Sequence, residues 1–470
     1  MIGESRPVPY ARAMLQRRCH LQLPLLIALP ALGLLPALPV SAGEMPPNIL
    51  LILADDLGNG DLGTCGAADL QTPNLDQLFA RGMRWDRFYA NCPVCSPTRA
   101  ALLTGRYPDR VGVPGVIRTH PEDSWGWLSP EARLLPSLLK PAGYHTALVG
   151  KWHLGLQSPN TPNDRGFDHF HGFLGDMMDD YQTHRRFGDN LMRRDTCAID
   201  PAGHATDLFT AWAVEYLNTR RAQASPFLLY LAYNAPHTPI QPPADWLERV
   251  HRREPELPAN RAKLVALIEH LDAGIGEVLE ALERNGLQER TLVIFTSDNG
   301  GQLSVGARNG PLRGGKQDMY EGGIRVPMVA VWPGHIAPGS RTESVALTMD
   351  LLPTCLEAAG EAVPEGLDGL SLLPVLTGAQ PALPERELVW MRREGNLRYQ
   401  GRDYYALRRG QWKLVQNSPF EPYQLFNLAD DPEERTDVSA ARKNIHQDLI
   451  RRLMRHVQRA GEVPWQPPAP

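Results

Sequence analysis

The chain has 470 residues, 43% hydrophobic and 21% charged, which is enough for one large or two ordinary domains with substantial cores. With 48 Lys and Arg against 53 Asp and Glu the formal net charge is -5, which removes any bulk electrostatic case for nucleic acid as a partner. The composition is that of a soluble globular protein.

At the N-terminus, Arg17 and Arg18 precede the apolar run LQLPLLIALPALGLLPALPV, which ends in Ser41, Ala42 and Gly43. This is the layout of a secretory signal peptide over residues 1–42, with Val40, Ser41 and Ala42 as the cleavage site. The alternative is a retained membrane anchor, against which the four prolines of the run count. Met14 as the start would shorten the leader, and Arg17–Arg18 is a weak twin-arginine signal. No second long apolar run follows, so the mature chain is expected in an exported compartment, periplasmic or secreted, without stable membrane insertion. Cys19 falls in the leader and leaves Cys65, Cys92, Cys95, Cys197 and Cys355, an odd set of which at least one stays outside any intramolecular disulfide. Their spacings match no zinc framework, and CPVC at Cys92–Cys95 lacks the thioredoxin-like context of a redox pair.

Four apolar, β-rich runs each lead into a polar cluster. NILLILA leads into Asp55 and Asp56, HTALVG into Lys151 and His153, PFLLYLAYN into His237, and TLVIFTS into Asp298 and Asn299. Near-continuous apolar runs suit strands buried on both faces. Helical patterns lie between them. TPNLDQLFARG has Thr72 as cap, Pro73 in the first turn and Gly82 at its end. CSPTRAALLTGR is a turn feeding a short helix, with Ser96 as cap, Pro97 in the first turn and Cys95 beside the positive end of the helix dipole. RAKLVALIEHLDAGIGEVLEALERNG keeps a 3.6-residue period and stops at Asn285 and Gly286. Alternating strands and helices imply an α/β layer architecture, in which ligands sit beyond the carboxyl ends of the strands, and every polar cluster above falls at that edge. After the helix MDLLPTCLEAAG, the segments ELVWMRREGN, RDYYALRRG and QWKLVQN predict a smaller antiparallel sheet, and NIHQDLIRRLMRHVQRAG a closing helix. The expected division is a catalytic domain over 43–380 and a C-terminal subdomain over 381–470.

Asp55, Asp56, Asp298 and Asn299 are four oxygen-bearing side chains at two strand ends, and hard oxygen ligands favour calcium or magnesium over zinc. Beside such an ion, Lys151, His153, His237 and Lys316 would supply cationic donors around an anionic group. Singly each reads as a cap, a surface charge or a core histidine; as a set they describe a site for an oxyanion ester. Arg99 lies one turn beyond Cys95 and can reach back to it. HRRF at His184 to Phe187 is either a local contact for an anion or a solvated face. Val116–Trp127 and Gly172–Arg186 are expected to form loops near the cleft, with Arg118, His120, Asp179, Asp180 and His184 as substrate contacts or ordinary surface.

The run CSPTRAALLTGR resembles the sulfatase signature, a cysteine followed by x, Pro, x, Arg and completed by LLTGR. GKWHLG, NAPHTPI, TSDNGG and GGKQDMYEGGIRVP follow as further family blocks in the expected order, and the likeness runs from Pro47 to LFNLADDPEERTD at Leu425 to Asp437. The resemblance implies an alkaline phosphatase-like fold, a large mixed β-sheet sandwiched by helices plus a smaller C-terminal antiparallel sheet. It implies that Cys95 is oxidised to formylglycine (3-oxoalanine) by a maturation enzyme that reads Pro97 and Arg99. The hydrated aldehyde would attack sulfur through one hydroxyl and expel sulfate through the other, a route closed to a serine or thiol. Carried over, Asp55, Asp56, Asp298 and Asn299 with modified Cys95 hold the metal, Ca2+ or alternatively Mg2+, and Arg99 holds the diol. Lys151 and Lys316 bind sulfate, with Lys316 a proton donor to the leaving group; His153 assists the second hydroxyl, and His237 contacts sulfate or the leaving oxygen. The substrate expected is an aryl sulfate or a sulfated sugar. The competing readings are a phosphonate monoester or phosphodiester hydrolase of the same superfamily, and a non-catalytic binder of sulfated glycans.

Overall fold

NILLILA forms a strand in which every residue is buried, and so do TLVIFTS and FLLYLA. Strands without a polar face have to lie inside a sheet covered on both sides. The computed structural model describes residues 45–395 and 401–467. The signal-peptide reading of residues 1–42, with Cys19 and Met14, lies outside the described residues.

The strands of the large sheet and its hairpin are β1 (Asn48–Ala54), β2 (Met83–Tyr89), β3 (His145–Lys151), β4 (His169–Phe173), β5 (Arg185–Arg186), β6 (Asp189–Asn190), β7 (Met192–Arg194), β8 (Cys197–Ala198), β9 (Phe227–Ala232), β10 (Thr291–Ser297), β11 (Met328–Val331) and β12 (Ser340–Leu347). The sheet order is β12-β2-β11-β10-β1-β9-β3-β4-β7-β8, with β5 and β6 pairing separately. Its centre from β10 to β4 is parallel, and antiparallel pairs begin at β11 on one flank and β7 on the other. Helices make the crossovers that parallel strands require. The longest, Ala259–Arg284, buries Leu264, Leu267, Ile268, Leu271, Ile275, Val278 and Leu282 against the sheet's core, then stops at Asn285 and the left-handed Gly286. The result is the expected large mixed sheet flanked by helices. Thr72 stands at the start of the helix Pro73–Arg81 but does not cap it. Its hydroxyl instead accepts from Gly63 N and donates to Asp76, so the loop before the helix takes the oxygen a cap would use.

The C-terminal sheet has four antiparallel strands, β13 (Glu387–Glu394), β14 (Arg402–Arg409), β15 (Trp412–Gln416) and β16 (Gln424–Asn427). The fourth, QLFN, goes beyond the three expected segments; it is too short to show a period, and its Leu425 and Phe426 find opposite faces. On one face Leu407, Leu414 and Leu425 pack with Leu449 and Leu453 of the closing helix Lys443–Ala460. On the other, Leu388, Trp390, Ala406 and Val415 pack with Tyr89, Ala101 and Met319. Ala101 belongs to the helix Cys95–Thr104, so the small sheet backs the element that begins at the cysteine. The seam is pinned by Lys413, fully buried, whose ammonium bridges Glu321 at 2.9 Å and Glu434 at 2.8 Å.

Candidate active site

Parallel pairing fixes which strand ends coincide. Ala54 of β1 pairs with Ser297 of β10, so Asp55 and Asp298 leave the sheet side by side, followed by Asp56 and Asn299. β9 and β3 continue the same edge; His237 follows β9, Lys151 ends β3 and His153 lies just beyond it. Two of these residues take left-handed backbone, Asp56 at φ 67° and His153 at φ 61°, a conformation non-glycine residues adopt at a cost and mostly where a site demands it.

The helix Cys95–Thr104 points its first turn at this edge, and every one of its residues is buried. The Cys95 thiol donates to Asp55 Oδ1 at 3.2 Å. Arg99 lies inside the cluster with no exposed surface. It gives Nε and Nη2 to Asp298 Oδ2 at 3.1 and 2.8 Å and Nη1 to the Lys151 carbonyl at 3.1 Å, with Asp55 Oδ2 3.6 Å away. Ser96 is not the helix cap: Val94 occupies that position, and the helix already starts at Cys95. The Ser96 hydroxyl bonds His153 Nε2 at 2.8 Å and accepts from Ile117 N at 3.0 Å. It is a positioning residue that sequence reasoning missed, because a serine before Pro97 looks like an ordinary cap.

The remaining groups close the ring. Lys151 Nζ reaches Asp55 Oδ2 at 2.5 Å; Lys316 Nζ reaches Asp56 Oδ2 at 2.7 Å and His237 Nε2 at 2.8 Å. His237 Nδ1 lies 2.7 Å from the Thr238 carbonyl, so Nδ1 carries the proton and Nε2 accepts from Lys316. Tyr181 Oη supports this loop by donating to the carbonyls of Asn234 and His237, a role no sequence signal reveals. All ten residues singled out from the sequence therefore converge on one locus.

Its electrostatics follow from burial and neighbours. Burial alone would raise the Asp55 carboxyl, but Lys151, His237, Arg99 and Lys316 together hold it well below the carboxylate range. Burial, then Asp55 as a like charge, pushes Asp298 up to about 7. Burial, followed by Asp298 and Asp55, pushes the Cys95 thiol well above its ordinary value, which makes it a poor thiolate nucleophile. Burial and then Lys151 and Arg99 depress His153; burial and then Lys316 depress His237, so both imidazoles are neutral.

The donor set suits a hard divalent cation. Asp55, Asp56, Cys95 and His237 bring ligand atoms within 4.8 Å of one another. Asn299 has no exposed surface; its Nδ2 donates to Asp56 Oδ1 at 2.7 Å, while its Oδ1 is buried without a hydrogen-bond partner. A buried amide oxygen with no partner among the described residues, on a side chain whose nitrogen meets the Asp56 carboxylate, is available as an oxygen ligand.

The loop expectations divide. Asp180 and His184 are structural: Asp180 accepts from Gln182 N, Thr183 N and Gln241, and buried His184 bonds the Gly203 carbonyl. Arg186 is tied to Asp176 and Asp179, so HRRF is neither an open anion contact nor a freely solvated face. Gly172 and Phe173 belong to β4, not to a loop, because they continue its pairing with β3. Arg118 reaches Glu394 at 3.2 Å, and exposed His120 stacks on Phe187.

The chain matches the Sulfatase family model over residues 47–361, and the model of the N-sulphoglucosamine sulphohydrolase C-terminal region over residues 315–461. It is 33% identical to N-acetylgalactosamine-6-sulfatase of Mus musculus, covering 94% of this chain and 91% of that one. It is 37% identical to arylsulfatase A of Homo sapiens, covering 84% and 83%. The crystal structure of Ps i-CgsB in complex with k-i-k-neocarrahexaose superposes with a TM-score of 0.81 at 33% identity, over 90% of this chain and 95% of that one.

Proposed function

From the premise that this chain belongs to the sulfatase family and is a sulfuric ester hydrolase, we propose that it releases sulfate from sulfated sugars by formylglycine chemistry at residue 95. The observation that carries the reading is the convergence of Cys95, Arg99, Lys151, His153, His237 and Lys316 on Asp55, Asp56, Asp298 and Asn299 at four adjacent strand ends. A sugar substrate, in preference to a simple aryl sulfate, is supported by the near full-length likeness to N-acetylgalactosamine-6-sulfatase and to Ps i-CgsB, solved in complex with k-i-k-neocarrahexaose.

Asp55, Asp56, Asp298 and Asn299 would hold Ca2+ alongside the modified Cys95, and such an ion would polarise the nucleophile and the ester oxygens. Hydrated formylglycine at residue 95 would supply one hydroxyl to take the sulfuryl group as the ester S–O bond breaks and the alcohol leaves, and a second whose deprotonation would re-form the aldehyde and expel sulfate. The chain's own side chains do the rest. Arg99, braced by Asp298 and the Lys151 carbonyl, fixes residue 95 in place. Lys151 and Lys316 bind the sulfate oxygens. His153, neutral and oriented by Ser96, takes the proton of the second hydroxyl, and Lys316, hydrogen-bonded to His237, protonates the departing alcohol.

The maturation enzyme is the implied partner, and export is the implied location. Among the described residues no helix is long and apolar enough to cross a membrane. The decisive test is mass spectrometry of the peptide containing residue 95 in active enzyme from its native host, together with turnover of sulfated monosaccharides, glycosaminoglycan oligosaccharides and an aryl sulfate. Active enzyme with only unmodified cysteine would overturn the chemistry, and a strong preference for aryl phosphonates or phosphodiesters would overturn the substrate class.

A further inference from the structure

Along β13 the residues facing the catalytic core alternate: Leu388 and Trp390 are buried there, and the next two on that face are Arg392 and Glu394. Directly opposite on β14 stand Tyr404 and Arg402. The face thus turns from apolar to ionic over its last positions without leaving the interior. Arg392 is 2% exposed and Glu394 has no exposed surface.

This ionic end lies on the flank of the candidate site. Gln317, the residue after Lys316, donates its N–H to the carbonyl of Pro93, two residues before Cys95, at 2.9 Å. Arg402 donates to the Gln317 side-chain oxygen, and Arg392 Nη1 lies 3.4 Å from the Gln317 carbonyl. The Met391 carbonyl accepts from Cys92 Sγ at 3.4 Å, which seats the end of β13 against the segment entering the helix. If Lys316 protonates the leaving alcohol, the groups around Gln317 border the side from which that alcohol departs.

The carboxylates beside these arginines are already engaged. Glu394 Oε2 accepts from Arg392 at 2.8 Å and from Arg118 at 3.2 Å, and Oε1 accepts from Val116 N at 3.2 Å. Asp318, the other acid nearby, commits Oδ2 to Gly315 N at 2.9 Å. The buried Nε of Arg392 has no hydrogen-bond partner among the described residues, while Tyr404 holds the guanidinium 5.6 Å from its ring centroid. A braced planar guanidinium with an unused buried donor, next to a second one, is an arrangement that takes an oxyanion.

We propose that Arg392 and Arg402 form a second oxyanion subsite for a further sulfate ester or a carboxylate on the same saccharide, making the enzyme selective for multiply anionic glycans. This rests on the sulfatase reading above. The test compares wild type, Arg402→Gln and Arg392→Lys on three probes: N-acetylgalactosamine 6-sulfate, a disulfated galactose disaccharide, and a monosulfated disaccharide bearing a uronate. Wild type is expected to favour one of the disaccharides. Arg402→Gln should lose on the order of tenfold more kcat/KM on that disaccharide than on the monosaccharide, chiefly through KM. Arg392→Lys, which keeps the charge beside Glu394 but not the planar fork, should do the same with an unchanged melting temperature. The responding disaccharide identifies the group as sulfate or carboxylate. Equal losses on all probes, or a wild type indifferent to the second anion, overturn the subsite. Wild type with verified formylglycine that turns over none of them overturns the sulfatase reading, and the subsite with it.

Discussion

Lys316→Ala separates proton donation from sulfate binding. The ammonium lies 2.7 Å from Asp56 Oδ2 and 2.8 Å from His237 Nε2, and although burial works against its charge, Asp56 with Cys95 and Asp55 keeps its pKa above the ordinary lysine value, so it is held protonated. A sugar alkoxide needs a proton to leave, whereas 4-nitrophenolate does not. Positioned proton transfer is worth about 10²–10⁴ in rate. The expected loss is on the order of a thousandfold in kcat for a sulfated sugar, about 4 kcal/mol of barrier, but no more than about tenfold for 4-nitrophenyl sulfate. The pH profile supplies a second readout. Burial is the first cause that lowers the His237 pKa and Lys316 the second, while Asp56 and Asp55 raise it. Without Lys316 the imidazole is easier to protonate, so the residual sugar-sulfatase activity of the variant should rise towards acid pH. Parallel losses on both substrates would refute donation and leave Lys316 as a sulfate ligand; a loss below about tenfold on the sugar would refute any catalytic role.

Cys95→Ser should release about one equivalent of alcohol per enzyme and then stop, because a single hydroxyl can accept sulfate but cannot expel it; sustained turnover would contradict the two-hydroxyl route. Dialysis against a chelator should abolish turnover and lower the melting temperature, and calcium should restore both, with stabilisation of about 2.7 kcal/mol when free calcium is about a hundredfold above Kd. A melting temperature indifferent to calcium would remove the ion from the site. The seam to the small sheet should respond to pH. Burial, then the like charge of Glu321, raises the Glu434 carboxyl to about 7 from 4.5, while against burial Lys413, Arg325 and Arg408 together hold Glu321 at about 2. A folded pKa raised above the unfolded one favours folding while the proton is held, so the Glu434 contribution is complete below about pH 4.5 and fades as pH rises through about 7. Urea denaturation of wild type and Glu434→Gln across that window should show the dependence only in wild type, and identical slopes would argue against it.

The parallel core and the candidate site at its edge are legible in the sequence because they follow a local rule. NILLILA, HTALVG, PFLLYLAYN and TLVIFTS each run apolar up to the residue where the strand leaves the sheet, and the chemistry begins there. What stays hidden depends on partners far along the chain. The cap reading of Ser96 fails because His153, 57 residues away, takes the hydroxyl. Thr72 fails similarly, drawn off by Gly63 and Asp76. Lys413, Glu321 and Glu434 look like scattered surface charges until the small sheet folds over them, and the ionic end of β13 appears only once β14 fixes which face looks inward. Periodicity locates elements, but it does not say which neighbour will claim a hydroxyl or a charge.

The helix Cys95–Thr104 has no exposed residue, and Pro97 and Arg99 are as buried as Cys95. An oxidising enzyme that reads those side chains cannot grip them once β1, β10 and the C-terminal sheet have closed around the helix. If residue 95 is matured as proposed, maturation and folding would compete in time: the segment would have to be processed while extended, during or soon after synthesis. A chain that folds first is sealed with an inert thiol at its centre. Specific activity would then report how often the proposed maturation enzyme arrived before the fold did, and slowing the folding of the small sheet would be expected to raise it.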